Sequence, residues 1–110
     1  MTGPTWKKFD LNEELEKHAE TSAPYHEFLR RPSLSCGIYT LAAGAKDLQG
    51  PHDEDEVYYV VSGRGVLQVE DVDRPVQTGT VVYVEANADH RFHSITEDLT
   101  ALVFFAPAES

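Results

Sequence analysis

The sequence holds one cysteine, Cys36, among its 110 residues. That excludes an intrachain disulfide and a four-cysteine zinc site. Basic residues are also scarce, 9 against 19 acidic ones, for a formal net charge of −10. A surface of that sign repels phosphate backbones and anionic lipid heads, so neither nucleic acid nor a membrane is an expected partner. No apolar run approaches the roughly twenty residues that span a bilayer. Lys7 and Lys8 have no apolar block behind them, so the start does not read as a signal peptide, and the cytoplasm is the expected location. Internal repeats and low-complexity tracts are missing as well. What remains is room for a single domain, with hydrophobic residues at 41 %, enough for a true core.

Two regions differ in pattern. Asp10 and Glu13 offer a capping-box start, after which Leu11, Leu15 and His18 fall on one side of a helix of two to three turns. Ala23-Pro24 breaks it, and Tyr25, Phe28 and Leu29 sit at helical spacing in a short second turn before Arg31-Pro32. From Ser33 the pattern becomes short strands between turns. Leu34–Leu41 is the first, and Val57–Val61 and Val66–Glu70 follow, joined by a turn at Ser62-Gly63-Arg64-Gly65. After a turn over Asp71–Pro75, strands are expected at Val76, Thr80–Val84, Arg91–Ile95 and Leu99–Phe105. Six or seven short strands at this spacing indicate an all-β sandwich or barrel, residues 33–110, carrying a helical arm, residues 1–32.

The histidines and carboxylates carry the chemical signal. In an extended chain, positions 52, 54 and 56 face one way, so His52 and Glu56 can point at one spot while Asp53 and Asp55 face away. His90 opens a later strand, after the loop Glu85-Ala86-Asn87-Ala88-Asp89. If the two strands neighbour each other in a closed barrel, two imidazoles and one carboxylate meet inside it. That donor set suits a non-haem iron site with open coordination positions.

Glycine spacing around these residues resembles the motifs of the cupin superfamily. Gly44, five residues, Gly50, one residue, His52, three residues, Glu56, six residues and Gly63 follow the first motif, in which a His-x-His precedes the glutamate. Gly79, five residues, Glu85-Ala86-Asn87, two residues, His90, three residues and Ser94 follow the second, which normally contains Pro-x-Gly and closes on asparagine. The resemblance covers Gly44 to Ser94 and implies a cupin-type double-stranded β-helix, or jelly-roll, barrel. It implies a divalent metal on His52, Glu56 and His90, with iron first and zinc, manganese or nickel as alternatives. Three departures stand out: the first histidine of the family's pair is Gly50 here, the Pro-x-Gly turn is Glu85-Ala86-Asn87, and Ser94 replaces the asparagine. Either the metal keeps three protein ligands, or the site has lost it. Asn87 suits a turn that needs positive φ.

Bland roles compete for the other residues. Asp53, Glu54 and Asp55 read as a solvated acidic run, with Glu54 alone having the inward parity of a replacement ligand. Tyr58 shares parity with Glu56, and Phe92 with His90, which makes both candidates for the substrate-binding wall, though core filling explains them equally. His93 has the opposite parity and belongs outside. His18 and His26 carry no signal, Cys36 reads as a buried small hydrophobe, and Arg64 as the tip of a turn. No catalytic residue is singled out. The leading expectation is a mononuclear metal-dependent enzyme, dioxygenase-like, acting on a small organic molecule. The alternatives are a non-catalytic binding or sensing barrel and a metal-dependent isomerase or lyase. Apolar outer faces and the arm point to a homodimer.

Overall fold

A computed structural model describes residues 5–48 and 50–110. The first four residues of the expected arm lie outside the described residues. Helix α1 (Leu11–Ala19) begins where the sequence places it, but Asp10 makes no side-chain cap and pairs instead with Lys8 at 3.3 Å. Leu11, Leu15 and His18 turn toward the barrel as their spacing requires, and Glu14 joins them at 5 % exposure. The second helical turn is corrected. Tyr25–Arg31 is strand β1, hydrogen-bonded antiparallel to β2 (Leu34–Leu41). Phe28 and Leu29 have the spacing of a helix, but an open edge of β2 supplies main-chain partners that a two-turn helix in water lacks.

Four further strands complete one curled sheet: β3 (Asp55–Val69), β4 (Val72–Gln77), β5 (Val81–Val84) and β6 (His90–Ala106). The order is β1-β2-β6-β3-β4, with β5 also on β3. Here the expected short strands merge. Val57–Val61 and Val66–Glu70 are one strand rather than a hairpin, so Arg64 tips no turn. It lies within β3 and pairs with Glu97 on β6 at 3.2 Å. Arg91–Ile95 and Leu99–Phe105 are likewise one strand. Val72–Pro75 is strand rather than turn, because β4 lies at the end of the sheet order, where a proline is tolerated.

The long pair β3–β6 makes the barrel. It runs from Asp55 opposite Ala106 to Val69 opposite His90, with register shifts between Val60 and Val66. Such irregularities bend a strand and increase its twist. Gly63 sits in this bend at φ +102, and a Cβ there would lie 2.2 Å from the carbonyl oxygen of Asp98. Only glycine fits. The bend folds the ladder back on itself, so that its two ends face each other across the interior. Tyr39, Tyr58, Val60, Leu67, Phe92, Leu99, Ala101 and Val103 fill the space between. On the outer face α1, Phe9 and Phe28 approach the β2 side, where Cys36 is buried at 3 % exposure as its composition suggested. No helix among the described residues is long and apolar enough to cross a membrane.

Candidate metal centre

Closing the ladder brings together donors from two distant stretches of the chain. His52 stands on the loop before β3, Glu56 near the start of β3, and His90 at the first position of β6. Each offers one ligand atom, and those atoms all lie within 4.8 Å of one another. Alternation along residues 52–56 holds as expected for Asp53 and Asp55, which are exposed, and for Glu56, which is 2 % exposed. Glu54 departs from the solvated reading. It is buried, and its Oε2 accepts the N–H of Ser110 at 3.1 Å, away from the three-residue cluster.

Local hydrogen bonds aim the donors. The carbonyl of His52 accepts the N–H of Asn87 at 2.7 Å, which ties the two motif loops directly together. Asn87 takes φ +67, the conformation expected of it, and Asp55 caps the same turn by accepting the N–H of Ala86 at 2.9 Å. His90 Nδ1 lies 2.9 Å from the Ala88 carbonyl, so it carries the proton and leaves the Nε2 lone pair facing inward. There Nε2 meets the Tyr58 hydroxyl at 3.2 Å and Glu56 Oε1 at 3.0 Å. Burial on its own would lower the His90 pKa, but Glu56, the Ala88 carbonyl and Asp47 outweigh it and the net shift is upward.

Glu56 decides whether the residues suit a cation. Its Oε1 stands 3.0 Å from His90 Nε2, yet neither of its two buried oxygens accepts a hydrogen bond. An uncompensated buried carboxylate is costly. Two carboxylate oxygens without hydrogen bonds, beside two imidazoles, form a donor set that a divalent ion satisfies. The residues fit.

Above this cluster opens a cavity of about 360 Å³. Tyr58 lines it, together with Tyr25, Leu41, Val103 and Phe105, and Lys46 stands at its exposed edge. Phe92 lies behind Tyr58, ring centroids 5.0 Å apart and 1 % exposed, packed in the core instead of on the cavity lining. His93 is outside, paired with Asp73 at 3.0 Å. Two residues with site contacts escaped the sequence reading. Asp47 takes the Phe92 N–H at 2.8 Å and the Tyr39 hydroxyl, pinning the approach loop beside His90. Glu109, far along the chain, places its carboxylate 3.2 Å from His52 Nδ1. No spacing rule links either to the motifs.

A small curled β-barrel with two imidazoles and a carboxylate at the foot of its cavity defines the class of protein. A family model described as the cupin domain matches residues 37–106, and the chain belongs to the cupin family. It is 47 % identical over 104 residues to an uncharacterized protein of Streptomyces coelicolor, covering 94 % of this chain and 99 % of that one. Among solved structures it is similar to an RmlC-like cupin from Shewanella frigidimarina, at TM-score 0.68 and 21 % identity over 76 % of this chain and 75 % of the other. It is also similar to salicylate 1,2-dioxygenase from Pseudoaminobacter salicylatoxidans, at TM-score 0.71 and 18 % identity over 87 % of this chain and 30 % of that one. At such identities these structures speak for the fold.

Proposed function

We propose that this cupin is a mononuclear metal-dependent enzyme, dioxygenase-like, with His52, Glu56 and His90 as its ligands and a small organic molecule as its substrate. The observation that carries the reading is Glu56, whose two oxygens are buried without a hydrogen bond between two imidazoles. A bound divalent ion, iron first and zinc, manganese or nickel as alternatives, supplies open coordination positions and Lewis acidity. The chain's own residues do the rest. Glu56 sets one negative charge against the ion while His52 and His90 bind as neutral rings. Tyr58 holds its hydroxyl beside His90 Nε2, at the cavity wall. Leu41, Val103 and Phe105 give the substrate an apolar berth and keep water out. Lys46 adds a positive charge at the mouth, which favours an anionic or chelating substrate despite the acidic exterior.

Metal analysis of purified protein is the first test. Stoichiometric iron and oxygen uptake with a thiol, diketone or phenol support the enzyme, and His52→Ala or His90→Ala should strip the metal while the circular dichroism of the barrel persists. Unchanged metal content in both variants removes these residues as ligands. A second reading, a non-catalytic binding barrel, is favoured by Gly50, which has no side chain where the family has a histidine. It predicts ligand binding without turnover. A lyase or isomerase at the same site would keep its activity in the absence of oxygen.

A further inference from the structure

Glu109 belongs to no motif, yet it reaches the site. After β6 the chain turns back over the barrel, and its main chain is fastened there. The N–H of Glu109 donates to Oγ of Ser35 at 2.9 Å, its carbonyl accepts the Arg30 guanidinium, and the next N–H donates to Glu54. Ser35 is fully buried and Glu54 is 5 % exposed, so those two are interior anchors, while Arg30 holds the segment from the surface. None of them uses the Glu109 side chain. That side chain lines the cavity, only 25 % exposed, with Oε2 at 3.2 Å from Nδ1 of His52.

The two histidines are then dressed alike. His90 sets its Nδ1 at 2.9 Å from the Ala88 carbonyl, and His52 sets its own at 3.2 Å from the Glu109 carboxylate. A histidine that ligates a metal generally donates its other ring N–H to a carboxylate or carbonyl, which fixes the tautomer and aims the ring. His90 gets this from a neighbour two residues away. His52 sits on the loop before β3, and the carboxylate facing its Nδ1 comes from a segment over fifty residues downstream. We propose that Glu109 is the positioning residue of His52: it accepts the Nδ1–H, so that Nε2 faces Glu56 and His90. This rests on the metal-centre reading above. With Gly50 unable to donate, only three protein donors remain, and the aim of each matters more.

The test uses the full chain with Glu109→Gln and Glu109→Ala. In the metal-free protein, at alkaline pH where the rings are neutral, nitrogen-15 spectra report each imidazole tautomer. His52 should hold its proton on Nδ1 in the parent protein and move to the Nε2–H form, which free side chains prefer, in Glu109→Ala. In a cobalt(II) titration, Glu109→Ala should weaken binding by roughly 10- to 100-fold. Glu109→Gln, whose amide oxygen still accepts, should lose less and keep the parent's visible spectrum at saturation. Equal cobalt affinity in parent and Glu109→Ala, or an Nε2–H ring in the parent, overturns the inference while the metal centre stands. A changed spectrum in saturated Glu109→Gln also overturns it, by making Glu109 a ligand. A parent that takes up no cobalt, yet shows the Glu109-dependent tautomer, sinks the metal reading and leaves the hydrogen bond.

Discussion

A carboxylate 2 % exposed and without a hydrogen bond is costly to the metal-free barrel. Glu56→Gln should therefore separate function from stability. The amide removes the buried charge at nearly constant volume, so the metal-free variant should melt no lower than the parent, and up to about 2 kcal/mol of added stability is in range. Its retained metal should fall to background by elemental analysis. A variant that loses stability and keeps its metal would show that Glu56 serves the core. At this scale the sequence was readable where alternation along one strand decides the facing, as for His52, Glu56 and Asp55. It was silent where a distant segment arrives from elsewhere. Glu54 has inward parity, but its partner is the N–H of Ser110, and Glu109 meets His52 with its own main chain held by Ser35 and Arg30.

Elements were legible in kind more than in extent. Leu34–Leu41 and α1 stand where their patterns put them. Breaks were placed at Ser62–Gly65 and between Ile95 and Leu99 because glycine and polar residues punctuate chains, whereas here they permit bending within unbroken strands. His18 shows what pattern alone omits. Its Nε2 meets Thr40 Oγ1 on β2 at 2.8 Å, its ring stacks on His26 of β1 with centroids 5.9 Å apart, and Glu14 stands 3.2 Å from His26. Burial, then the nearby His26, push the His18 pKa below 6.5. The neutral ring is thus the one the folded arm prefers, and the unfolded chain binds more protons just below that value. Stability from this group is full above 6.5 and drains away as pH falls through it. His90, shifted upward, has the opposite slope, so the comparison is between variants: across that range the urea midpoint of the parent should fall relative to that of His18→Gln. Parallel midpoints in the two proteins would contradict the assignment.

The molecule as a whole covers its outer sheet unevenly. The arm shields Cys36 and Ile38 on the β2 side, but the β3–β5 side leaves Val81 63 %, Tyr83 60 % and Tyr59 39 % exposed. Register pairs Tyr59 with Val81 and Val57 with Tyr83, and Phe104 lies across from Val57, so these side chains share one face. A contiguous apolar patch on an acidic chain is expected to bind a second copy. Sedimentation should show a homodimer that tightens with salt, because a formal charge of −10 per chain opposes pairing until it is screened. Tyr83→Asp should leave a monomer with its metal content intact. A monomeric parent at every salt concentration would leave the patch without this role. Fold class was evident from strand spacing, but the closure of the sheet was not, since periodicity records which way residues face and not how far a ladder curls.

That curl has a consequence for how the barrel breathes. Glu56 and His90 belong to opposite ends of one ladder, joined through the irregular stretch around Gly63. Whatever grips both side chains works like a clasp on a purse. With the proposed ion bound, unrolling the two strands and releasing it would be a single event, so loaded and empty proteins would share an architecture and differ in how often it springs open.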